Sequence, residues 1–194
     1  MSLYYRNIYG NDVCIKQIKK DYPKIGRRIA RGGNSIIYEG SKPNTVFKLT
    51  VDPAAWWALT DPYFALKGKH FPKLIQAIGE VGESTRRPGM PLYLMEIERL
   101  ENPRGRSKAS FAYRHLSRKY DHTIKDPILR NVEWICHSIK EKRVKGSLKT
   151  ALLQIVEFIQ TFDCYPDIHA GNIMRRGDIW VFSDPVASRD VLKY

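Results

Sequence analysis

Apolar and polar positions along this chain follow two different periods, and the change falls near Leu100. Before it, short apolar or alternating runs are broken by Gly, Pro and Asn. Residues 25–51, "IGRRIARGGNSIIYEGSKPNTVFKLTV", hold two strand-like runs around Gly-Gly-Asn, a second turn at "EGSKPN" and a third run. That pattern predicts three antiparallel strands in hairpin connection. "KLIQAIGEVG" (73–82) and "MPLYLMEIERL" (90–100) predict two more strands about a polar turn, "ESTRRPG". "DVCIKQIKKDY" (12–22) predicts a short helix. "PAAWWALTDPYFALKG" (53–68) is helical in composition but cut by Pro62, so a short or broken helix is expected there.

Beyond Leu100 the period becomes helical. "ENPRGRSK" (101–108) reads as a linker, and "ASFAYRHLSRKYD" (109–121) and "PILRNVEWICHSIKEKR" (127–143) read as helices. The strongest helical signal is "SLKTALLQIVEFIQTF" (147–162). There Leu148, Ala151, Leu152, Ile155, Val156 and Ile159 follow the i, i+3, i+4, i+7 rule, and Ser147 is placed to cap the N-terminus. In "YPDIHAGNIMRRGDIWVFSDPV" (165–186), "NIM" and "IWVFSD" flank "RRGD" as a small hairpin. The predicted class is α+β: a strand-rich half over about 1–98, a hinge or linker at 99–106 and a helical half over 107–194. A ligand would favour the cleft between such halves.

Composition narrows the partners. Of 194 residues, 43% are hydrophobic and 27% charged, which is globular rather than disordered. Lys plus Arg number 33 against 20 Asp plus Glu, a formal charge of +13 that predicts attraction to polyanions without choosing among them. Three widely spaced cysteines (Cys14, Cys136, Cys164) form no C-x-x-C pair, which argues against a disulfide framework or a zinc knuckle and for a reducing compartment. The N-terminus lacks the apolar core of a signal peptide, and no 18-residue apolar run occurs. A soluble, cytoplasmic protein is expected.

The candidate chemistry lies in the 165–186 segment. Asp167, Asn172 and Asp184 stand five and twelve residues apart, so the segment is either a polar turn or the floor of a metal–phosphate site. Phosphoryl transfer needs few protein parts: a carboxylate to orient the attacking hydroxyl, an acid and an amide to hold magnesium, a lysine on the phosphates and a backbone-rich turn over them. The chain supplies these in order. "IARGGNSIIY" is a glycine-bearing turn between strands, Lys48 sits in "VFKL" on the following strand, and Asp167 and Asn172 have the offset of a catalytic aspartate and its metal-binding asparagine. Asp184 closes the next strand, and Asn and Asp oxygens suit magnesium. Alone, each piece has a plainer reading: a structural turn, a solvated lysine, a turn aspartate, and a packed, hydrogen-bonded His169. The ordered combination favours the site.

The stretches "DIHAGNIM" and "FSDPV" resemble the catalytic segment of the protein-kinase-like superfamily. More closely, they resemble the early protein kinases of short-tailed bacteriophages and the minimal HopBF-type kinases injected by plant-associated bacteria. The resemblance is specific over 165–187, moderate over 29–50 and weak between. It implies a strand-rich N-lobe, a reduced helical C-lobe and a nucleotide cleft between them. It further implies Asp167 as the catalytic aspartate, Asn172 and Asp184 as magnesium ligands, and Lys48 on the α- and β-phosphates. Gly32, with Arg31, Gly33, Asn34 and Ser35, would cover the phosphates, and Met95, Glu96 and Ile97 would receive adenine.

The chain departs from that pattern in four places. Ala30 and Ser35 replace the outer glycines, and Tyr165 and Pro166 replace the usual His-Arg before the catalytic aspartate. No glutamate occurs between Lys48 and Glu80, so Asp61 or Glu80 would have to stand in for the lysine's acidic partner, or nothing does. Ten residues follow Asp184, so no activation segment is seen and a constitutively active enzyme is expected. The expected function is an ATP- and Mg2+-dependent serine/threonine protein kinase of a phage or bacterial effector, monomeric and acting inside the host cell. Its substrate would be a host protein, a heat-shock chaperone if the effector resemblance holds. The alternatives are a pseudokinase that binds a host factor and a small-molecule kinase; a nucleic-acid-binding module has only the net charge in its favour.

Overall fold

The computed structural model describes residues 4–5, 13–84, 87, 89–103, 105–116 and 122–193. Among these, the contacts divide the chain into two compact units. The described residues of Met1–Trp56, Lys73–Arg99 and Asp190–Tyr194 form the first, and Trp57–Pro72 with Leu100–Arg189 the second. The division is less simple than the expected 1–98, 99–106 and 107–194. Residues 57–72 cluster with the helical unit, and the C-terminal residues cluster with the sheet.

The first unit is built on an antiparallel sheet of β2 (Arg28–Arg31), β3 (Ser35–Glu39), β4 (Thr45–Thr50), β5 (Leu74–Ser84) and β6 (Pro91–Glu98). A two-residue strand, β1 (Tyr4–Tyr5), adds in parallel to the end of β5, and the order is β1-β5-β6-β4-β3-β2. The three predicted hairpin strands and the two later ones all form. β4 sits between β3 and β6, and every residue from Thr45 to Thr50 is buried. β5 slips register against β6 at three points, with Gly79 and Gly82 at φ 119° and 153°. Such bulges need positive φ, which glycine alone adopts without strain.

Glu96 is a buried carboxylate in this sheet. One oxygen accepts from the Ser41 amide and hydroxyl, both at 2.7 Å, and from the Thr45 hydroxyl. Burial alone would push its carboxyl up, but the bonds from Thr45 and Ser41, helped by nearby Lys42, hold it below the usual glutamate value. The β3–β4 turn is thereby pinned to β6. Helix α1 (Val13–Asp21) lies within the predicted 12–22, whose first residue falls outside the described set. Helix α2 (Pro53–Thr60) stops before Pro62, as its composition predicts. Buried Asp52 caps it, accepting from the Ala54 amide at 2.9 Å.

The second unit holds helices α3 (Gly105–His115), α4 (Pro127–Glu141) and α5 (Gly146–Thr161). α3 starts inside the expected linker, because Gly-Arg-Ser-Lys continues the helix rather than preceding it. The rest of the predicted 109–121 helix, residues 117–121, lies outside the described residues. α4 begins with Asp126 accepting from the Ile128 and Leu129 amides at 2.7 and 3.1 Å, and Pro127 occupies its first turn. α5 buries Ala151, Leu152, Ile155, Val156, Phe158 and Ile159, the predicted stripe with Phe158 added and Leu148 left half-buried. Ser147 does not cap this helix. The cap position falls on Lys145, which makes no side-chain cap bond, and the Ser147 hydroxyl meets His70 Nε2 at 3.0 Å instead. The predicted hairpin is β8 (Ile173–Arg176) against β9 (Ile179–Phe182). No described helix is long and apolar enough to cross a membrane.

Candidate active site

The acidic segment is shaped by two short ladders in the second unit. β7 (Tyr165–Pro166) pairs antiparallel with β10 (Val186–Ala187). The Asp167 amide then donates to the Pro185 carbonyl at 2.7 Å, which brings Asp167 beside the residues after β9. A single 3-10 turn, Ala170–Asn172, leads into β8, and the Ser183 amide donates to the Asn172 carbonyl at 2.9 Å. Residues seventeen apart in sequence, Asp167 and Asp184, are thus held at one turn by backbone bonds that require no particular side chain.

Asn172 closes the arrangement. Its Nδ2 donates to the Asp167 carbonyl at 2.9 Å, to Asp167 Oδ2 at 2.8 Å and to the Asp184 carbonyl at 2.8 Å. Three acceptors around one amide nitrogen settle which way the amide points, because a carbonyl oxygen there would face three oxygens. Asn172 Oδ1 has no donor among the described residues. All three residues are half-buried, so the cluster is reachable from solvent. The structure therefore gathers Asp167, Asn172 and Asp184 as the spacing suggests. An amide oxygen and one carboxylate make a hard but incomplete donor set. Magnesium, which keeps waters and substrate phosphates in its shell, fits such a set better than a metal needing a full protein cage. Among the described residues no group of three or more His, Cys, Asp or Glu converges as a metal cage.

His169 is the residue whose part sequence reasoning missed. It is exposed rather than packed. Its Nδ1 accepts from the Gly171 amide at 2.9 Å, and its Nε2 lies 3.3 Å from Asp167 Oδ1. The D-x-H-x-G spacing could have raised this, since a turn brings positions i and i+2 together.

The first unit carries the remaining candidates. Lys48 is buried in the middle of β4 and pairs with Ile37 on β3 and Met95 on β6. Directly opposed residues share a face, so Ala30, Ile37, Lys48, Met95 and Ala77 form one row across the sheet. The turn after β2 is exposed at Gly32 and Gly33. Gly32 donates to the Ser35 carbonyl at 2.8 Å, while the Gly33 and Asn34 amides have no acceptor among the described residues. Neither glycine has positive φ, and a Cβ at Gly33 would meet nothing within 4 Å. The chain's own packing does not require glycine at 32 or 33. Ser35 is buried and bonds the Thr50 hydroxyl at 3.0 Å, so its side chain belongs to the sheet rather than the turn.

Met95, Glu96 and Ile97, the residues expected to receive adenine, lie on the interior strand β6. They are 0%, 3% and 5% exposed and are flanked on both sides by paired strands, and Glu96 is engaged by Ser41 and Thr45. Their burial comes from β6 being an interior strand. Asp61, a candidate acidic partner for Lys48, accepts instead from the Tyr63 and Phe64 amides at 2.9 and 2.8 Å, in a turn of the second unit. Glu80 is exposed on β5. No protein-family model matches this chain, and no curated protein matches it significantly.

Proposed function

We propose that this chain is an ATP- and Mg2+-dependent serine/threonine protein kinase that phosphorylates host proteins. The observation that carries the reading is the Asn172 amide nitrogen, which ties Asp167 to Asp184 while leaving its own oxygen open. In the proposed reaction Asp167 orients the acceptor hydroxyl and takes its proton as the oxygen bonds to the γ-phosphorus and ADP leaves. Asn172 Oδ1 and the Asp184 carboxylate would hold the metal. Magnesium, when bound with the nucleotide, neutralises charge on the phosphoryl group in transfer. On this reading Lys48 and the Gly33 and Asn34 amides would bind phosphate oxygens. The motif resemblance of "DIHAGNIM" and "FSDPV" to phage and effector kinases is the reason to propose a host protein, a chaperone among the candidates, as acceptor.

Labelled ATP with Mg2+ and host lysate provides the test. Wild-type protein should transfer label to a Ser or Thr, Asp167→Asn and Asp184→Ala should lower transfer by about a thousandfold or more, and Lys48→Ala should weaken nucleotide binding. Wild-type transfer by Asp184→Ala would show that its role is wrongly assigned. A pseudokinase reading is the alternative, because α2, the helix after β4, carries no acidic residue. Tight ATP binding without transfer to any acceptor would select that alternative.

A further inference from the structure

We infer that His169 is a positioning residue for Asp167, held in one tautomer by the Gly171 amide. The inference rests on the kinase reading for its consequence but not for its geometry. A backbone N–H can only donate, so the 2.9 Å bond from Gly171 requires Nδ1 to be the bare nitrogen. In the neutral ring the proton then sits on Nε2, the atom 3.3 Å from Asp167 Oδ1. The other carboxylate oxygen, Oδ2, receives Asn172 Nδ2 at 2.8 Å. Asp167 therefore has a hydrogen-bonded amide at Oδ2 and an imidazole nitrogen within ion-pair distance of Oδ1, so turning the carboxylate about its last bond disturbs both contacts.

The same geometry gives Gly171 a reason to be glycine. A Cβ there would stand 2.6 Å from His169 Cε1 and 2.9 Å from Nδ1, while no positive φ is involved. The constraint is the imidazole itself, lying against the backbone at 171. Adding a methyl group would move the ring rather than the chain, and the ring would leave Asp167. Gly171 and His169 thus act as one device.

Two substitutions separate the ring's two jobs. In His169→Asn the side-chain oxygen can still accept from the Gly171 amide, as Asn does in turns, but nothing reaches Asp167 Oδ1. The expected result is a fall in kcat of about 10- to 100-fold with KM for ATP nearly unchanged. Gly171→Ala should give a similar fall, and adding it to His169→Ala should cost nothing further, because the two changes disable one contact. Asp167→Asn serves as the control that transfer depends on this site. Independently of turnover, nitrogen-15 spectra of histidine-labelled wild-type protein at alkaline pH should show His169 with the proton on Nε2. Wild-type kcat in His169→Asn, additive losses in the double variant, or a proton on Nδ1 would each overturn the inference. A wild-type protein that transfers no phosphate would remove the kinase reading alone, and the nitrogen spectra would still decide the tautomer.

Discussion

At the scale of single residues, Asn172 has the largest structural consequence. Its Nδ2 supplies a side-chain donor shared by the Asp167 loop and the Asp184 turn, so the amide stabilises the fold. Asn172→Ala should lower unfolding free energy by about 1–2 kcal/mol, the usual range for part-buried acceptors that lose a donor. Asn172→Asp should cost more, because a carboxylate would face two carbonyls and the Asp167 carboxylate. Urea titration of the three proteins checks the order, and equal stability of Ala and Asp variants would contradict it. The gathering of Asp167, Asn172 and Asp184 was legible in the sequence because spacing within a hairpin-and-turn segment fixes which positions can meet. The fates of Glu96, Asp61 and His169 were not. Glu96 depends on strand register across some fifty residues, which is not written in local pattern. Asp61 and His169 meet partners two or three residues away, in turns whose geometry composition alone does not specify.

Elements show the same division. Strands and helices with a clear period formed where expected, from the β2–β4 meander to α5. Helix ends were less legible because they depend on distant partners: α5 starts at Gly146, one residue before the expected cap, and the Ser147 hydroxyl meets His70, 77 residues earlier. α4 ends with Arg143 at φ 50°, and the Val144 amide reaches back to the Ile139 carbonyl at 3.0 Å. This closure favours glycine at the left-handed position, where a side chain costs roughly 1 kcal/mol. Arg143→Gly should therefore raise the thermal midpoint. His70 ties the 57–72 segment to β9 and α5, with Nδ1–H donating to the Trp180 carbonyl at 2.8 Å. Burial pushes its pKa below the ordinary 6.5; the Trp180 bond opposes this, and Lys69 and Arg176 add to the lowering. Below pH 6.5 the unfolded chain then binds more protons than the folded one. The contribution of His70 is complete above that pH and declines as pH falls through the window down to the lowered folded value. His115 is lowered by burial too and adds in the same direction. His70→Gln should flatten part of the loss in thermal midpoint between pH 7 and about pH 5, and an unchanged slope would count against the buried neutral ring.

For the molecule as a whole, the decisive quantity is the excess of 33 Lys and Arg over 20 Asp and Glu. Around the loop between α4 and α5, Lys140, Arg143, Lys145 and Lys149 line one concavity with no acidic residue among its lining. In the proposed kinase such a field would not add to specificity at the acceptor hydroxyl, which would be the work of Asp167. It acts earlier, by raising the local concentration of negatively charged partners and the rate at which they arrive. The screening length is about 10 Å at 0.1 M salt and about 3 Å at 1 M, so this contribution should fade with ionic strength while the chemical step does not. For the proposed kinase, acceptor peptides with acidic flanks should therefore show lower KM than basic ones at low salt, with similar kcat. The difference should shrink as salt is raised. If KM for the two peptides were equal and insensitive to salt, the net charge would have no part in choosing the acceptor.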